Sequence, residues 1–139
     1  MRKLFIIGGI LIIIGIFYFV SNELFFLKTL FPEKIWIHRV NSIEKLKEVG
    51  NEFSGIELDV VWDGTNFDVN HPPAASIGLK LDEYLGTHDD SRNTVIWLDF
   101  KNLNSFNESN SLKKLDSIIN QSSFTKKSII VESPNPEFL

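Results

Sequence analysis

Residues 55–62 read GIELDVVW and carry the strongest fold signal in the chain. Apart from Glu57 and Asp59, the side chains in this run are apolar, and the turn residues Asp63-Gly64 end it. A short apolar run bounded by turn residues is typical of a strand buried on both faces of a sheet. Such strands occur mainly in parallel sheets that helices cover on both sides.

Further strands and helices alternate along the chain. Strands are predicted over residues 35–40, 94–100 and 127–131. Apolar residues at helical spacing predict one helix over residues 43–49, with Asn41-Ser42 as its N-cap and Gly50 as its stop, and another from Ser109 or Asn110 to Ile119. Strands that alternate with helices predict an α/β fold with a parallel sheet.

Shorter elements fill the connections between these strands. Residues 63–66 predict a tight turn, after which residues 66–70 can form a short returning strand. A short helix is predicted over residues 79–85, followed by a polar loop over residues 87–93.

Four βα units of this kind equal the N-terminal half of a (β/α)8 TIM-type barrel. A complete barrel needs ~250 residues, whereas the part of this chain from residue 34 onward has about 105. We therefore expect half of a barrel, either truncated at its C-terminus or completed by a second copy. The chain stops at Glu137-Phe138-Leu139, directly after a strand, and this favours truncation.

The N-terminal segment has a different composition. Arg2 and Lys3 precede seventeen uncharged residues, Leu4 to Val20, which is the short end for crossing ~30 Å of hydrocarbon. A cleaved signal peptide starts in the same way, but residues 17–21 offer no small-x-small cleavage site. A buried core helix is disfavoured because no face of the run is polar. The sequence predicts an uncleaved transmembrane signal anchor over residues 1–22, a linker over 23–33 and an α/β domain over 34–139.

The charge distribution sets the predicted location and partners. The positive-inside tendency keeps Arg2 and Lys3 cytoplasmic, so we expect a single-pass membrane protein whose C-terminal domain is extracytoplasmic. Removing these two from the 14 basic residues leaves 12 against 18 acidic residues, a net charge of −6. An acidic domain is a poor match for nucleic acid. The chain has no cysteine, which excludes a disulfide framework and a thiolate nucleophile.

Carboxylates at predicted strand ends are candidate metal ligands. Glu57 and Asp59 are two residues apart on a strand and point to the same side. Adjacent carboxylates repel unless protons or a cation neutralise them, and Mg²⁺ or Ca²⁺ prefers such oxygen ligands. Asp99 would be a third ligand, and Glu132 ends the next strand. Alternatively, the strand lies at a sheet edge and its acids face water.

Two histidines are candidates for proton transfer. His38 follows an apolar strand, and His71 precedes Pro72-Pro73, which stiffen the backbone. Imidazole titrates near neutral pH, so one histidine can serve as base and the other as acid in cleavage of a phosphodiester. The alternative for His38 is a structural residue beside the core. His88 has polar neighbours and is interpreted as a surface residue.

Arg39 and Lys101 would supply positive charge for an anionic substrate. Arginine binds phosphate oxygens in bidentate fashion, and lysine acts as a point charge. For each residue the alternative is a salt bridge to a neighbouring acid. The three tryptophans, at positions 36, 62 and 97, are interpreted as packing residues, and the alternative is that one of them lines a ligand pocket.

The order of these residues resembles the glycerophosphodiester phosphodiesterases, which belong to the phospholipase-C-like phosphodiesterase barrels, and is closer still to the menorin family. Menorins have a His-x-x-Asn-Ser stretch, a Glu-x-Asp-Val strand, a His-Pro-Pro and a Leu-Asp-Phe-Lys strand. The matching residues here are His38-Arg39-Val40-Asn41-Ser42, Glu57-Leu58-Asp59-Val60, His71-Pro72-Pro73 and Leu98-Asp99-Phe100-Lys101.

The resemblance implies a membrane-anchored, metal-dependent phosphodiesterase-like domain that acts on a glycerophosphodiester or a related small phosphodiester. It implies these roles: Glu57, Asp59 and Asp99 bind a divalent cation, His38 and His71 are catalytic, and Arg39 and Lys101 hold the phosphate. The chain departs from the phosphodiesterase pattern at Val40, at Pro72 and at Asp99, where that family has Gly, Asp and Glu. The alternative function is a non-catalytic binding module that retains the barrel fold.

Overall fold

The structure of the chain is a computed structural model that describes residues 2–21, 23–49, 52–87 and 94–139. The chain divides into two units, Met1–Ile35 and Trp36–Leu139. The first unit contains helix α1 (Arg2–Ser21), helix α2 (Glu23–Leu30) and a 3₁₀ turn (Pro32–Lys34).

The predicted membrane anchor is corrected by the structure. Nowhere in the described ranges is there a helix with both the length and the apolarity that crossing a bilayer requires. The predicted single-pass membrane location is therefore wrong.

The second unit is built on a five-stranded sheet. Its strands are β1 (Trp36–Ile37), β2 (Gly55–Trp62), β3 (Phe67–Val69), β4 (Val95–Phe100) and β5 (Ile129–Glu132). The order β1-β2-β4-β5 is parallel throughout, and β3 pairs antiparallel with β2. The α/β class and the parallel sheet are thus confirmed, whereas closure into a barrel stays a prediction.

Helices and short turns connect these strands. The helices are α3 (Ile43–Val49), α4 (Leu81–Thr87) and α5 (Glu108–Gln121), and 3₁₀ turns lie at Lys126–Ser128 and Pro136–Phe138. Ser42 caps α3 as predicted, because its Oγ accepts the Lys45 N–H at 3.1 Å. The predicted stop at Gly50, most of the loop over residues 87–93 and His88 lie outside the described residues.

One face of the sheet forms the hydrophobic core. Parallel register places Ile56 beside Ile96 and Leu58 beside Leu98, and all four are at most 2 % exposed. Buried residues of the helices complete this core, namely Leu46 and Val49 of α3, Leu81, Tyr84 and Leu85 of α4, and Leu115, Ile118 and Ile119 of α5. Since side chains alternate along a strand, the residues between the core residues are presented on the opposite face.

Strand β1 is shorter than predicted because the chain turns sharply after it. Arg39 has a φ of 57°, in the left-handed region that ends an extended strand. Strand β2 matches its predicted bounds, and Gly55 begins it for a steric reason. A Cβ on Gly55 would lie 2.4 Å from the Trp36 ring, so β1 and β2 can pair here only because this position has no side chain.

Candidate functional site

The C-terminal edge of the parallel strands contains a cavity of about 440 Å³. Parallel α/β sheets present their reactive residues at this edge. The lining consists of Trp97 and all eight residues selected from the sequence: His38, Arg39, Glu57, Asp59, His71, Asp99, Lys101 and Glu132. The structure therefore brings every predicted site residue to one place.

Three carboxylates form the floor of the site. Glu57 and Asp59 are 4 % and 1 % exposed, and strand pairing sets Asp59 directly beside Asp99. Glu57, Asp59 and Asp99 each offer an oxygen within 4.8 Å of the others. Buried carboxylates need compensating charge or hydrogen bonds, and three oxygens at this spacing suit a hard divalent cation. The alternative in which these acids face water at an edge strand is excluded by their burial.

Lys101 provides positive charge among these carboxylates. Its Nζ lies 2.7 Å from Asp59 Oδ1 and also contacts Asp99 Oδ2. Burial alone lowers the pKa of Lys101, but its hydrogen bonds to Asp59 and Asp99 outweigh burial and raise the pKa above its usual value. The salt-bridge alternative from the sequence is therefore the arrangement that the structure shows.

His38 stands at the opening of the cavity. Its Nδ1 lies 3.4 Å from Glu57 Oε2, and its side chain is 63 % exposed. The imidazole packs edge to face on Trp97 with ring centroids 5.3 Å apart. An imidazole between a buried carboxylate and solvent can exchange a proton with a bound molecule, which a histidine enclosed by the core cannot do.

His71 and Arg39 approach the cavity from opposite connections. His71 follows β3, and the neighbouring Asn70 N–H donates to the Asp59 carbonyl at 3.0 Å. His71 Nε2 lies 4.0 Å from Asp59 Oδ1 and 3.3 Å from Arg39 Nη2. His71 Nε2 therefore lies between the Arg39 guanidinium and the Asp59 carboxylate.

Asn41 is a site residue that the sequence analysis missed. Its Nδ2 donates to Asp59 Oδ2 at 2.6 Å, and its Oδ1 accepts the Asp59 N–H at 2.9 Å. These two bonds fix the orientation of the buried carboxylate. The sequence predicted Asn41 as part of a helix cap, since a pairing across 18 residues leaves no local pattern.

Trp97 lines the cavity, as the alternative interpretation of the tryptophans allows. It lines the site cavity and also an adjoining apolar cavity of about 530 Å³, together with Trp36, Ile130 and Leu139. Its ring packs edge to face on Trp36 with centroids 6.2 Å apart. Trp97 is therefore a wall between the polar site and an apolar space as well as a packing residue.

Comparison with known proteins identifies the family. The profile of the Menorin N-terminal domain matches residues 33–131, which include all the predicted site residues except Glu132. Neither the curated proteins nor the solved structures gave a match. The profile covers well over half of the 139 residues, and the resemblance to menorins seen in the sequence is confirmed. The chain belongs to the menorin family.

Proposed function

We propose that the unit Trp36–Leu139 contains a phosphodiesterase-like site that depends on a divalent cation and acts on a small phosphodiester. The observation that supports this function best is the shared cavity of about 440 Å³. This cavity combines three carboxylates, two imidazoles and two cationic side chains. Hydrolysis of a phosphodiester uses all three kinds of side chain.

Glu57, Asp59 and Asp99 would hold the cation. A bound Mg²⁺ or Ca²⁺ would polarise a phosphoryl oxygen and lower the pKa of an attacking hydroxyl. The residues fit such an ion because their oxygens converge within 4.8 Å. The charge of Lys101 neutralises part of this cluster and would limit how strongly the cation binds.

His38 and His71 would transfer the protons. Hydrolysis forms a bond from phosphorus to the attacking oxygen, whose proton passes to one imidazole. The bond from phosphorus to the leaving oxygen then breaks, and that oxygen takes a proton from the other imidazole. Arg39 would bind a phosphate oxygen, because its guanidinium reaches the cavity beside His71. Lys101 would contribute a second positive charge near the phosphate.

The proposed substrate class rests on the sequence resemblance, and the proposed half-barrel rests on the order of the strands. The sequence order resembles the glycerophosphodiester phosphodiesterases, so a glycerophosphodiester or a related molecule is the proposed substrate. The strand order β1-β2-β4-β5 runs in chain order and is parallel, as in successive units of a (β/α)8 barrel. This order supports a half-barrel arrangement for residues 36–139.

The test combines cation binding with turnover on the full chain. Tb³⁺ is a luminescent substitute for Ca²⁺, and Trp97 in the cavity lining can sensitise it. We expect saturable Tb³⁺ luminescence that Ca²⁺ or Mg²⁺ reduces, and hydrolysis of a chromogenic phosphodiester that needs a divalent cation. The double variant Glu57→Ala/Asp59→Ala should lose both signals. Normal Tb³⁺ binding without hydrolysis of any phosphodiester tested would contradict the enzymatic function.

One observation favours a second candidate, a non-catalytic binding module. Lys101 already pairs with Asp59 and with Asp99, so two of the three carboxylates have a charge partner without a cation. Lys101→Met separates the two proposals. If the cluster binds a cation, removing the competing ammonium should strengthen Tb³⁺ binding several-fold. If the cluster is only an ion-pair network, the variant should be less stable and still bind no Tb³⁺.

A further inference from the structure

The turn after β1 contains the candidate site residues His38 and Arg39, and Arg39 has an unfavourable backbone conformation. Arg39 has a φ of 57°, and left-handed backbone is disfavoured for a residue that has a Cβ. The conformation persists only if its surroundings hold it. The contacts that hold the turn therefore also determine where the side chains of His38 and Arg39 lie.

Backbone bonds tie this turn to β2. The Arg39 N–H donates to Glu57 Oε2 at 2.6 Å, and the Val40 N–H donates to the Glu57 carbonyl at 2.9 Å. The first of these bonds connects the turn directly to a candidate metal ligand. It also uses one oxygen of the Glu57 carboxylate and so orients the other.

Lys45 holds the turn from its opposite side. Its Nζ donates to the carbonyl of His38 at 3.1 Å and to the carbonyl of Arg39 at 2.7 Å. Both carbonyls flank the left-handed residue, and hydrogen bonds from a charged donor are stronger than neutral ones. One ammonium therefore stabilises the two peptide groups whose orientation directs the Arg39 N–H at Glu57.

We propose that Lys45 is a positioning residue for the cavity, an inference that rests on the proposed cation-binding function. It acts through the backbone of residues 38–39 and does not itself contact the cation or the substrate. Two of its three N–H groups are already used by carbonyls, which argues against a direct role as a phosphate ligand. Lys47, on the same helix, is exposed and serves as the natural comparison.

The direction in which Lys45→Met changes the Tb³⁺ affinity distinguishes a positioning role from a purely electrostatic one. Removing a nearby positive charge should strengthen cation binding if Lys45 acts only through its charge. Removing a positioning residue should weaken it, and loss of supporting contacts around metal ligands typically costs about 10- to 100-fold in affinity. Lys45→Met is therefore expected to bind Tb³⁺ about tenfold more weakly than the wild type.

Two further variants complete the experiment on the full chain. Lys45→Arg keeps a cation with several donors and should restore most of the Tb³⁺ affinity. Lys47→Met removes a charge from the same helix without touching the turn and should change affinity less than about twofold. Unchanged or tighter Tb³⁺ binding in Lys45→Met would overturn the proposal.

A readout that needs no cation distinguishes failure of this inference from failure of the proposed function. The Arg39 amide, bonded to a carboxylate at 2.6 Å, should give a strongly downfield proton signal that exchanges slowly with solvent. Lys45→Met should shift this signal upfield and speed its exchange, and Lys45→Arg should restore it. If the wild type binds no Tb³⁺ but the amide responds in this way, the positioning is correct and the cation site is wrong. An amide signal unchanged in Lys45→Met would refute the positioning even if Tb³⁺ binds.

Discussion

The carboxylates on the two sides of the cavity differ in the contacts that hold them. On the β1–β2 side, Arg39 and Asn41 of the connecting turn bond directly to the carboxylates of Glu57 and Asp59. On the β4–β5 side, Asp99 contacts Lys101, and Glu132 is exposed at the end of its strand. Among the residues that the structure describes, the Glu132 carboxylate has no hydrogen-bond or ion-pair partner.

This difference follows from the local sequence. In the turn over residues 38–41, the Arg39 N–H donates to the Glu57 carboxylate and the Asn41 side-chain amide donates to the Asp59 carboxylate. Strand β4 continues directly into Lys101, so the charge partner of Asp99 is a flexible side chain two residues further on. One side of the site is thus pre-organised by short hydrogen bonds from the turn, and the other side depends on one lysine side chain.

The largest effect should come from the pre-organised side. Asp59→Asn removes a charge that is 1 % exposed and leaves Lys101 with Asp99 as its remaining carboxylate partner. Because ligand charge sets the affinity of oxygen-liganded cation sites, Tb³⁺ binding should weaken by on the order of 100-fold or more. The matched change Asp99→Asn should cost on the order of tenfold, since Asp99 is less buried and less tightly held. Equal losses in the two titrations would remove the distinction between the sides.

Part of this site could be predicted from the sequence. The spacing Glu57-x-Asp59 on an apolar strand was enough to place two carboxylates on one face, and the run 94–100 placed Asp99 on the neighbouring strand. Strand alternation and parallel pairing are local, repetitive rules. They fix which face a residue occupies, and the observed register of Asp59 with Asp99 agrees with them.

The contacts that hold the carboxylates could not be predicted in the same way. Asn41 and Asp59 are 18 residues apart, and nothing in either segment indicates that their side chains pair. Lys45 and Lys47 look alike on a helix that begins with a capping serine, yet only Lys45 reaches the carbonyls of the turn. Such contacts depend on the left-handed backbone at Arg39. The sequence does not indicate this conformation, because residue 39 is not the glycine that usually adopts it.

The membrane span predicted over residues 1–22 is contradicted by the structure. Composition alone predicts that a segment is helical and apolar, and α1 (Arg2–Ser21) is a helix. Composition alone does not decide whether such a helix crosses a membrane.

A smaller effect is expected from Asn41→Ala. The variant removes both bonds to Asp59 but keeps the carboxylate itself. Hydrogen bonds to a charged group are worth about 1.5–3 kcal/mol, so the free energy of unfolding should fall by about 2 kcal/mol, measured by chemical denaturation. Tb³⁺ affinity should fall by about tenfold, as for other contacts that orient metal ligands. Asn110→Ala, on the exposed surface of α5, is the matched control and should change neither quantity measurably.

The smallest effect is expected from Glu132→Gln. Glu132 is exposed at the end of β5 and lies beside Asp99 in the sheet register, so it contributes negative charge through water rather than a fixed ligand. Exposed charges interact weakly and are screened by salt. Tb³⁺ affinity should therefore fall by about threefold or less at low ionic strength, and the difference should disappear in titrations near 1 M salt. A loss of 100-fold that persists at high salt would instead make Glu132 a direct ligand, and the β4–β5 side would then be as essential to the site as the β1–β2 side.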